Sequence, residues 1–373
     1  MTVNSVEFSS FRNIEDGVFR PAGGVNVLYG SNGQGKTNIL EALWLFTGAR
    51  SFRGAKDADY VNFSKEAAAL RLGFTSLSGS REARIGFDGT RSAELEGIKL
   101  ASTMKLSGEF CAVIFSPEHL ELVKAGPQLR RRFIDSAICQ ILPRHVAAVI
   151  EYRKILVQRN SLLKDIPFHA QLLDTLDVWD EHLAAVGAGI IRTRIRYLRR
   201  MTEVACRKYS EIAGGGETLG AEYISADGGK YPESGGAGEL QSRKIAKMLL
   251  EKLRQSRTQD LESGYTHFGP HRDDLELKIS GISAREFGSQ GQQRTAVLAL
   301  KLAEAAVIRQ TINEPPVLLL DDVMSELDGG RQNYLLGDID GMQVFITCCD
   351  KAVAGRTDAG HVFRVDSGRI VAE

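Results

Sequence analysis

The first 115 or so residues are dominated by short segments in which apolar and polar residues alternate. Such alternation puts the apolar side chains on one face of a β-strand. Glycine, serine and aspartate, which favour turns, separate most of the segments. We therefore predict that this part of the chain forms sheet. The predicted strands are VNSVEF, GVNVLY, AAALRLGF, EARIGF and FCAVIF.

From Pro117 to about Ile212 the apolar residues recur at helical spacing instead, in RRRFIDSAICQIL, HVAAVIEYRKILVQRNSLL and AAVGAGIIRTRIRYLRRMTEVACRKYSEI. A glycine-rich stretch then flanks a predicted hairpin around LGAEYIS, and a further helix covers ELQSRKIAKMLLEKL. After Gly269 strands and helices alternate again. We predict an α/β protein whose mixed-sheet lobe comprises residues 1–115 and 265–373, with a helical lobe, residues 116–264, inserted into it.

The segment VNVLYGSNGQGKTNILEALWLF, residues 25–46, runs from an apolar strand through a glycine-rich turn into a helix. The turn has the pattern G-x-x-x-x-G-K-[ST], in which glycines let backbone N–H groups approach phosphate oxygens. Lys36 is predicted to bind the β- and γ-phosphates and Thr37 to bind Mg²⁺. The alternative is a glycine turn that binds nothing. The predicted phosphate-binding residues are Gly30, Ser31, Asn32, Gly33, Gln34, Gly35, Lys36 and Thr37.

A second predicted strand, PPVLLLDD, ends in two carboxylates. A buried parallel strand of this kind delivers an acid to Mg²⁺ at its carboxyl end. We predict that Asp321 binds the metal and that Asp322 orients the attacking water. The alternatives are a turn or cap role for Asp321 and, for Asp322, a side chain too short to reach the water.

A third candidate site lies in FGSQGQQRTAVLALKLAEAAVI, residues 287–308. A serine hydroxyl and free N–H groups at the start of a helix form an anion site. Ser289, Gly291 and Gln292 are therefore predicted to bind a phosphate held by a second copy of the chain, since a two-fold pair creates two such shared sites. An ordinary capped helix is the alternative.

Composition limits the class of protein but does not indicate a function. The chain has 373 residues, of which 43% are hydrophobic and 25% charged, as in a soluble globular protein of two domains. No apolar run approaches the ~18–20 residues of a membrane span, and the start lacks a signal-peptide pattern. We therefore expect a cytoplasmic protein. Five cysteines without a C-x-x-C pair favour reduced thiols.

The net charge is zero, so any binding of nucleic acid has to depend on local basic clusters. Arginines are concentrated in the predicted helical lobe. Such clusters neutralise phosphates without reading sequence, although a solvated helix face is the alternative. The candidate DNA contacts are Arg130, Arg131, Arg192, Arg196, Arg199 and Arg200.

Four blocks accompany the P-loop: SPEHLELVKAGPQLRRRFID (116–135), GPHRDDLEL (269–277), GSQGQQR (288–294) and LLLDDVMSELD (318–328). In this order and spacing they resemble the RecF family, within the ABC-type ATPase heads of the SMC and RecF group. The resemblance covers nearly all of the chain. It implies an ABC-type ATPase head with the helical lobe inserted between the Walker A and signature motifs.

The resemblance also implies roles for individual residues. Lys36 and Thr37 take the Walker A roles and Asp321 takes the Walker B role toward ATP and Mg²⁺. The signature residues Ser289, Gly291 and Gln292 face the partner's γ-phosphate, while Arg12 approaches the nucleotide. Ser325 and Asp328 belong to a D-loop, Ser325-Glu326-Leu327-Asp328, that crosses the dimer interface.

At the level of the cell, the resemblance implies an ATP-dependent homodimer on duplex and gapped DNA, acting with RecR and RecO to help load RecA. Replication restart and SOS induction are the processes it would support.

One departure concerns the residues after QVFIT, where many ABC ATPases have a histidine and this chain has Cys348, Cys349 and Asp350. Its absence favours slow hydrolysis, and therefore a weak, DNA-stimulated ATPase that acts as a switch. Two alternatives are an ABC transporter ATPase subunit and an SMC-like structural DNA protein. The helical insertion argues against the first, and the lack of long heptad arms argues against the second.

Overall fold

Strands form where the sequence alternates or runs apolar, so the five strands predicted near the start are confirmed. The strands are β1 (Thr2–Ser9), β2 (Gly17–Phe19), β3 (Val25–Tyr29), β4 (Ala68–Ser76), β5 (Gly79–Asp88), β6 (Thr90–Leu95), β7 (Ile98–Lys99), β8 (Ala112–Phe115), β9 (Leu219–Ile224), β10 (Asp274–Ile279), β11 (Ile282–Ser283), β12 (Val317–Asp321), β13 (Val344–Cys348), β14 (His361–Asp366) and β15 (Arg369–Ala372).

Helices form where apolar residues recur at helical spacing, and the predicted helices of the central region are confirmed. The helices are α1 (Lys36–Leu45), α2 (Pro117–Leu120), α3 (Pro127–Ile141), α4 (Pro143–Asp165), α5 (Leu176–Ala213), α6 (Gly238–Gln255), α7 (Arg257–Ser263), α8 (Ala284–Phe287), α9 (Gln290–Ile312) and α10 (Gly329–Asp338), with 3-10 turns at Asp57–Tyr60, Thr103–Leu106, Ala170–Thr175 and Met324–Glu326.

The structure, a computed structural model, describes residues 1–232, 238–339, 341–349 and 361–373. The chain separates into two compact units. The first unit comprises residues 1–123, 204–218 and 288–373, and the second comprises residues 124–203 and 219–287. The division into lobes made from the sequence stays a prediction. Among the described residues, no helix is long and apolar enough to cross a membrane.

The first unit contains a six-stranded sheet in the order β15-β14-β3-β13-β12-β8. The strands from β14 to β8 run parallel to their neighbours, and β15 runs antiparallel to β14. Strands β13, β12 and β8 are buried throughout, as expected of a parallel sheet covered on both faces. Their carboxyl ends meet at one edge. The turn after β3, Asp321 at the end of β12 and Ser116 after β8 therefore share that edge.

A second six-stranded sheet of the first unit, in the order β2-β1-β4-β5-β6-β7, is antiparallel. Its apolar face packs in one core with α1 and with one face of the parallel sheet. Phe8, Leu70 and Ile85 come from the antiparallel sheet, and Leu40 comes from α1. This core fixes α1, and therefore the turn before it, against the parallel strands.

The second unit contains helices and the three-stranded sheet β11-β10-β9. Of the hairpin predicted around LGAEYIS, the described residues contain one antiparallel bridge, which joins Ile224 to Lys230. Strand β9 pairs along its length with β10, much later in the chain. Spacing along the chain could not reveal this long-range partner.

Candidate functional site

The turn between β3 and α1 needs its glycines. Gly30 has φ 154° and Gly35, the residue that caps α1, has φ 110°. A Cβ atom on Gly30 would lie 2.2 Å from the carbonyl oxygen of Val365, and one on Gly35 would lie 2.7 Å from Cδ1 of Ile14. At Gly30 both the conformation and the backbone close by exclude larger residues, and at Gly35 the conformation does so. The chain enters α1 with the first N–H groups of the helix at the turn.

Lys36 is the first residue of α1, and its side chain folds back over the turn. Its Nζ donates to the carbonyl oxygens of Gly30, at 2.5 Å, and Ser31, at 2.8 Å. Only 7% of the residue is exposed. The positive charge is therefore held against the loop that is predicted to bind phosphate.

Neighbouring segments support the rest of the turn. Asn13 donates through Nδ2 to the carbonyl oxygen of Gly33 at 3.1 Å. The backbone N–H of Ser367 donates to Oε1 of Gln34 at 2.5 Å, and that of Gly368 donates to the Gln34 carbonyl at 3.0 Å. Gly33 and Gln34 are thus held by segments outside the turn, whereas Gly30 and Ser31 accept hydrogen bonds from Lys36.

The residues after β13 also contact the turn. The N–H of Gly30 donates to the carbonyl oxygen of Cys348 at 3.3 Å. The Cys349 thiol donates to Oδ1 of Asn32 at 3.0 Å. Cys348 and Cys349, which stand where many ABC ATPases have histidine, therefore lie beside the phosphate-binding turn. Asp350 lies outside the described residues.

Thr37 and Asp321, which are 284 positions apart, meet at the carboxyl edge of the parallel sheet. The Thr37 hydroxyl donates to Oδ1 of Asp321 at 2.8 Å, and the Thr347 hydroxyl donates to the same oxygen at 2.9 Å. Burial raises the pKa of Asp321, and both hydroxyl donors oppose that rise. A hydroxyl and a carboxylate at this spacing are oxygen ligands of the kind that Mg²⁺ prefers, so the pair fits the predicted metal role.

The backbone of Asp322 is held on both sides. Its N–H donates to Oγ1 of Thr347 at 2.9 Å, and its carbonyl accepts a hydrogen bond from the Ser325 hydroxyl at 2.7 Å. Its φ of 53° lies in the left-handed region, which Asp and Asn tolerate better than most residues. Backbone conformations of this kind cost free energy and are common at functional sites.

Glu118 is a residue that the sequence analysis did not single out. It lies in α2, directly after β8, the strand next to β12. Its charge contributes to raising the pKa of Asp321, whereas the charge of Arg53 lowers it. The available signal was a buried strand followed at once by Ser-Pro-Glu, the same arrangement that identified Asp321.

Arg12 lies beside α1 and has a partner there. Its Nη2 pairs with Oε2 of Glu41 at 2.7 Å, and its guanidinium carbon lies 5.1 Å from the centre of the Tyr60 ring. Glu41 is completely buried and also accepts a hydrogen bond from Ser51. Arg12 is therefore anchored to the helix that follows the P-loop. The sequence analysis missed Glu41 because no motif in the neighbouring residues indicates its role.

The signature segment begins α9 with a reciprocal cap. The N–H of Gln292 donates to Oγ of Ser289 at 3.2 Å, and the N–H of Ser289 donates to Oε1 of Gln292 at 2.8 Å. Nε2 of Gln292 donates to Glu217 at 2.6 Å. The segment is therefore a capped helix, and its remaining first-turn N–H groups lack acceptors within the helix.

The D-loop is fixed at both of its ends. Ser325 bonds back to Asp322, as described above, and Asp328 caps α10 by accepting from the N–H of Arg331 at 3.0 Å. That hydrogen bond and the Arg331 charge lower the pKa of Asp328. The two predicted D-loop residues thus have defined partners in the same unit.

The candidate DNA contacts, in the second unit, divide into two groups. Arg130 is 4% exposed and pairs through two nitrogens with Asp274, at 2.7 and 2.8 Å. Arg131 donates to the Asp273 carbonyl at 2.6 Å and is half-buried. Arg130 therefore works as a buried ion-pair partner and cannot lie on a DNA-binding surface. The other candidates lie along α5, where Arg192 is half-buried and Arg196, Arg199 and Arg200 are exposed.

The parallel sheet ends in a P-loop turn, and Thr37 of that turn bonds to Asp321 on a nearby strand, which is the arrangement of an ABC-type ATPase head. The family model described as the RecF/RecN/SMC N-terminal domain matches residues 2–369. A DNA replication and repair protein RecF of Acetivibrio thermocellus is 38% identical over 374 residues, covering 99% of both chains. The RecF of Lachnoclostridium phytofermentans is 38% identical with the same coverage. The chain belongs to the RecF family.

Solved structures agree with this assignment. The recombination mediator protein RecF with ATP, of the RecFOR pathway, is 36% identical and superimposes with a TM-score of 0.90, covering 100% of this chain and 97% of the other. A Pyrococcus furiosus Smc head domain is only 14% identical, with a TM-score of 0.54 over 100% of this chain and 96% of the other, so it shows the fold alone. The predicted fold class, an ABC-type ATPase head, is confirmed.

Proposed function

We propose that the protein is an ATP-driven DNA-binding switch of recombinational repair. ATP closes a homodimer on DNA, and hydrolysis opens it. The observation that carries the proposal is the direct hydrogen bond between Thr37 and Asp321, which assembles the Walker A and Walker B residues within one unit. The RecF structure solved with ATP supports ATP as the nucleotide.

In the proposed site each residue has a distinct task. The Lys36 ammonium and the N–H groups of the P-loop bind the β- and γ-phosphates. Thr37 and Asp321 supply oxygen ligands for Mg²⁺, which would neutralise phosphate charge when bound. Asp322 accepts a hydrogen bond from the water that attacks. The cysteines beside the P-loop offer no imidazole, which favours slow hydrolysis and a switch.

The proposed homodimer is supported by the way the two halves of the site are held. The P-loop bonds to residues near Asn13 and Ser367, whereas the signature segment bonds to Glu217 and Arg331. These are different sets of supports. The signature helix end is therefore proposed to bind the γ-phosphate held by a second chain, as two-fold pairing allows.

DNA is proposed to bind along α5. Arg192, Arg196, Arg199 and Arg200 follow the i, i+4, i+7, i+8 spacing of one helix face. Such a face neutralises backbone phosphates, so binding should depend on salt rather than on base sequence. The relatives named as DNA replication and repair proteins support this partner.

Gapped duplex DNA is the substrate we favour, with RecR and RecO as partners and RecA as the protein whose loading is helped. The RecF structure described as part of the RecFOR pathway supports RecR and RecO as partners. Replication restart and SOS induction in the cytoplasm are the processes this activity would serve.

The test combines size and binding. The wild-type protein should change from monomer to dimer only with ATP, Mg²⁺ and DNA together, measured by light scattering after gel filtration. Lys36→Ala should remain monomeric and lose ATP-dependent DNA binding, while Lys99→Ala, a change at an exposed lysine, should behave as wild type. A wild-type protein that stays monomeric under every condition contradicts the proposal.

A further inference from the structure

The signature helix and the D-loop are joined by an arginine of α10. Arg331 uses all three of its guanidinium nitrogens. Nε donates to Oγ1 of Thr295 at 2.9 Å, Nη2 donates to the carbonyl oxygen of Gly291 at 3.0 Å, and Nη1 pairs with Asp328. The planar guanidinium therefore connects the first turns of α9 to the end of the D-loop in a fixed geometry.

A second arginine makes the same connection in the opposite direction. Arg294, on α9, donates through Nη1 to the carbonyl oxygen of Glu326 at 2.9 Å. Its Nη2 pairs with the Glu326 carboxylate at 3.0 Å. Arg294 comes from the signature helix and Arg331 comes from α10, which follows the D-loop, so the D-loop is held to the signature helix at two neighbouring points.

The D-loop is also continuous with the Walker B residues. Asp322 follows Asp321 directly, and its carbonyl accepts the hydroxyl of Ser325 at 2.7 Å. Glu326, the next residue, is the one that Arg294 contacts. A path of peptide bonds and hydrogen bonds thus leads from Asp321, the proposed metal ligand, along the D-loop to Arg331. Arg331 in turn contacts the Gly291 carbonyl in the signature segment.

We propose that Arg294 and Arg331 are positioning residues that couple the two ATP sites of the closed dimer. This inference rests on the proposed function. In such a dimer the Walker B side of a chain serves the ATP bound to that chain, whereas its signature serves the ATP of the partner. A change at Asp321 or Asp322 in one site therefore moves the signature that completes the other site.

The test measures ATP hydrolysis against ATP concentration in the presence of DNA. The wild type should be cooperative, with a Hill coefficient between 1 and the limit of 2 set by two sites. Arg331→Ala should lower kcat by about tenfold or more, because small displacements of positioning groups are costly in rate. Its Hill coefficient should fall to 1, while ATP binding by the monomer stays within about twofold of wild type, as expected for a group that does not touch this ATP.

Three further variants separate positioning from simple loss of structure. Arg331→Lys keeps a positive charge but cannot contact three acceptors in one plane, so it should resemble Arg331→Ala. Arg294→Glu should also lose cooperativity, and combining it with Glu326→Arg should restore part of it by reversing the ion pair. Arg309→Ala, at an exposed arginine of the same helix, is the matched control and should leave both kcat and the Hill coefficient unchanged.

The outcomes distinguish the two proposals. If wild-type hydrolysis depends on Lys36 but Arg331→Ala keeps the wild-type Hill coefficient, the coupling is overturned and the switch is not. A wild-type Hill coefficient of 1 also overturns the coupling alone. If the wild type neither binds nor hydrolyses ATP, the switch is overturned and the coupling with it.

Discussion

The hydroxyl of Thr37 donates a hydrogen bond of 2.8 Å to Oδ1 of Asp321, which joins two motifs that are 284 positions apart. Both side chains come from elements buried in the same core, α1 and β12. The contact holds a hydroxyl and a carboxylate within hydrogen-bonding distance of each other. It is the structural basis for assigning the metal role to this pair.

Replacing Asp321 with asparagine should make the ligand-free protein more stable. Burial raises the pKa of Asp321 in the folded state, so the folded protein holds this proton more tightly than the unfolded chain. Stability is therefore lost as pH rises from the unfolded pKa through the folded pKa, and the cost is present above the folded pKa. Asparagine removes the charge and keeps an oxygen for both hydroxyl donors. Thermal unfolding should show a higher Tm at neutral pH, with a smaller difference from wild type in acid.

The same Asp321→Asn variant should lose the stabilisation that Mg²⁺ and ATP confer on the wild type, because its carboxylate ligand is gone. Asp88→Asn, at an exposed aspartate of β5, should show neither effect. An asparagine variant that is less stable than wild type without ligand, at every pH, would show that the carboxylate is not an unfavourable buried charge.

Asp322→Asn should leave ATP binding intact, slow hydrolysis and prolong the closed state. Asparagine tolerates the left-handed backbone at this position, so the change removes the charge without adding strain. Asp322→Ala adds strain as well and should be less stable. Single-turnover hydrolysis and the lifetime of the DNA complex measure the effect. Faster turnover in the asparagine variant would remove Asp322 as the group that orients water.

The sequence predicts those parts of the site that depend on local pattern. The P-loop and Asp321 are marked by a strand that leads directly into them. Glu41 and Thr347 could not be predicted, because each acquires its role from a contact with a distant segment. Arg130 was mispredicted for the same reason. A run of three arginines suggests an exposed basic surface, whereas Arg130 is buried and contacts Asp274, which is 144 positions away.

Arg130→Ala should destabilise the second unit rather than weaken DNA contacts selectively. Removing one partner of a buried ion pair leaves Asp274 without its charge partner and costs about 3 kcal/mol. Urea unfolding measures this loss. Arg130→Met combined with Asp274→Leu should recover much of it, because the double variant leaves neither charge uncompensated. Full stability in the single alanine variant would contradict the buried-pair role.

Replacing Arg199 and Arg200 together with alanine tests the DNA-binding face of α5. Removal of two phosphate contacts should flatten the slope of log K against log salt by about two units, given ~0.9 per contact on duplex DNA. Preference among base sequences should not change. Replacing the exposed Lys99 and Lys105 of the first unit is the matched control. An unchanged slope in the arginine variant would assign α5 to the solvated-face alternative.

Mixing two inactive variants tests whether the ATP site is shared between two chains. Ser289→Arg should keep ATP binding by the monomer but lose dimerisation and hydrolysis, because a bulky cation enters the proposed interface. Ser289→Ala removes the cap, about 1 kcal/mol, together with the hydroxyl proposed to bind the phosphate, so it should still dimerise and should lower the ATPase rate less than Ser289→Arg does. Lys36→Ala should be inactive because its own P-loop is damaged.

In a heterodimer of Lys36→Ala with Ser289→Arg, one shared site carries both changes and the other carries neither. The measurement is the ATPase rate of the mixture with DNA, compared with each variant alone at the same total concentration. We expect hydrolysis to return on mixing. A mixture as inactive as its components, together with a Ser289→Arg monomer that no longer binds ATP, would place Ser289 in the pocket of its own chain and contradict the shared site.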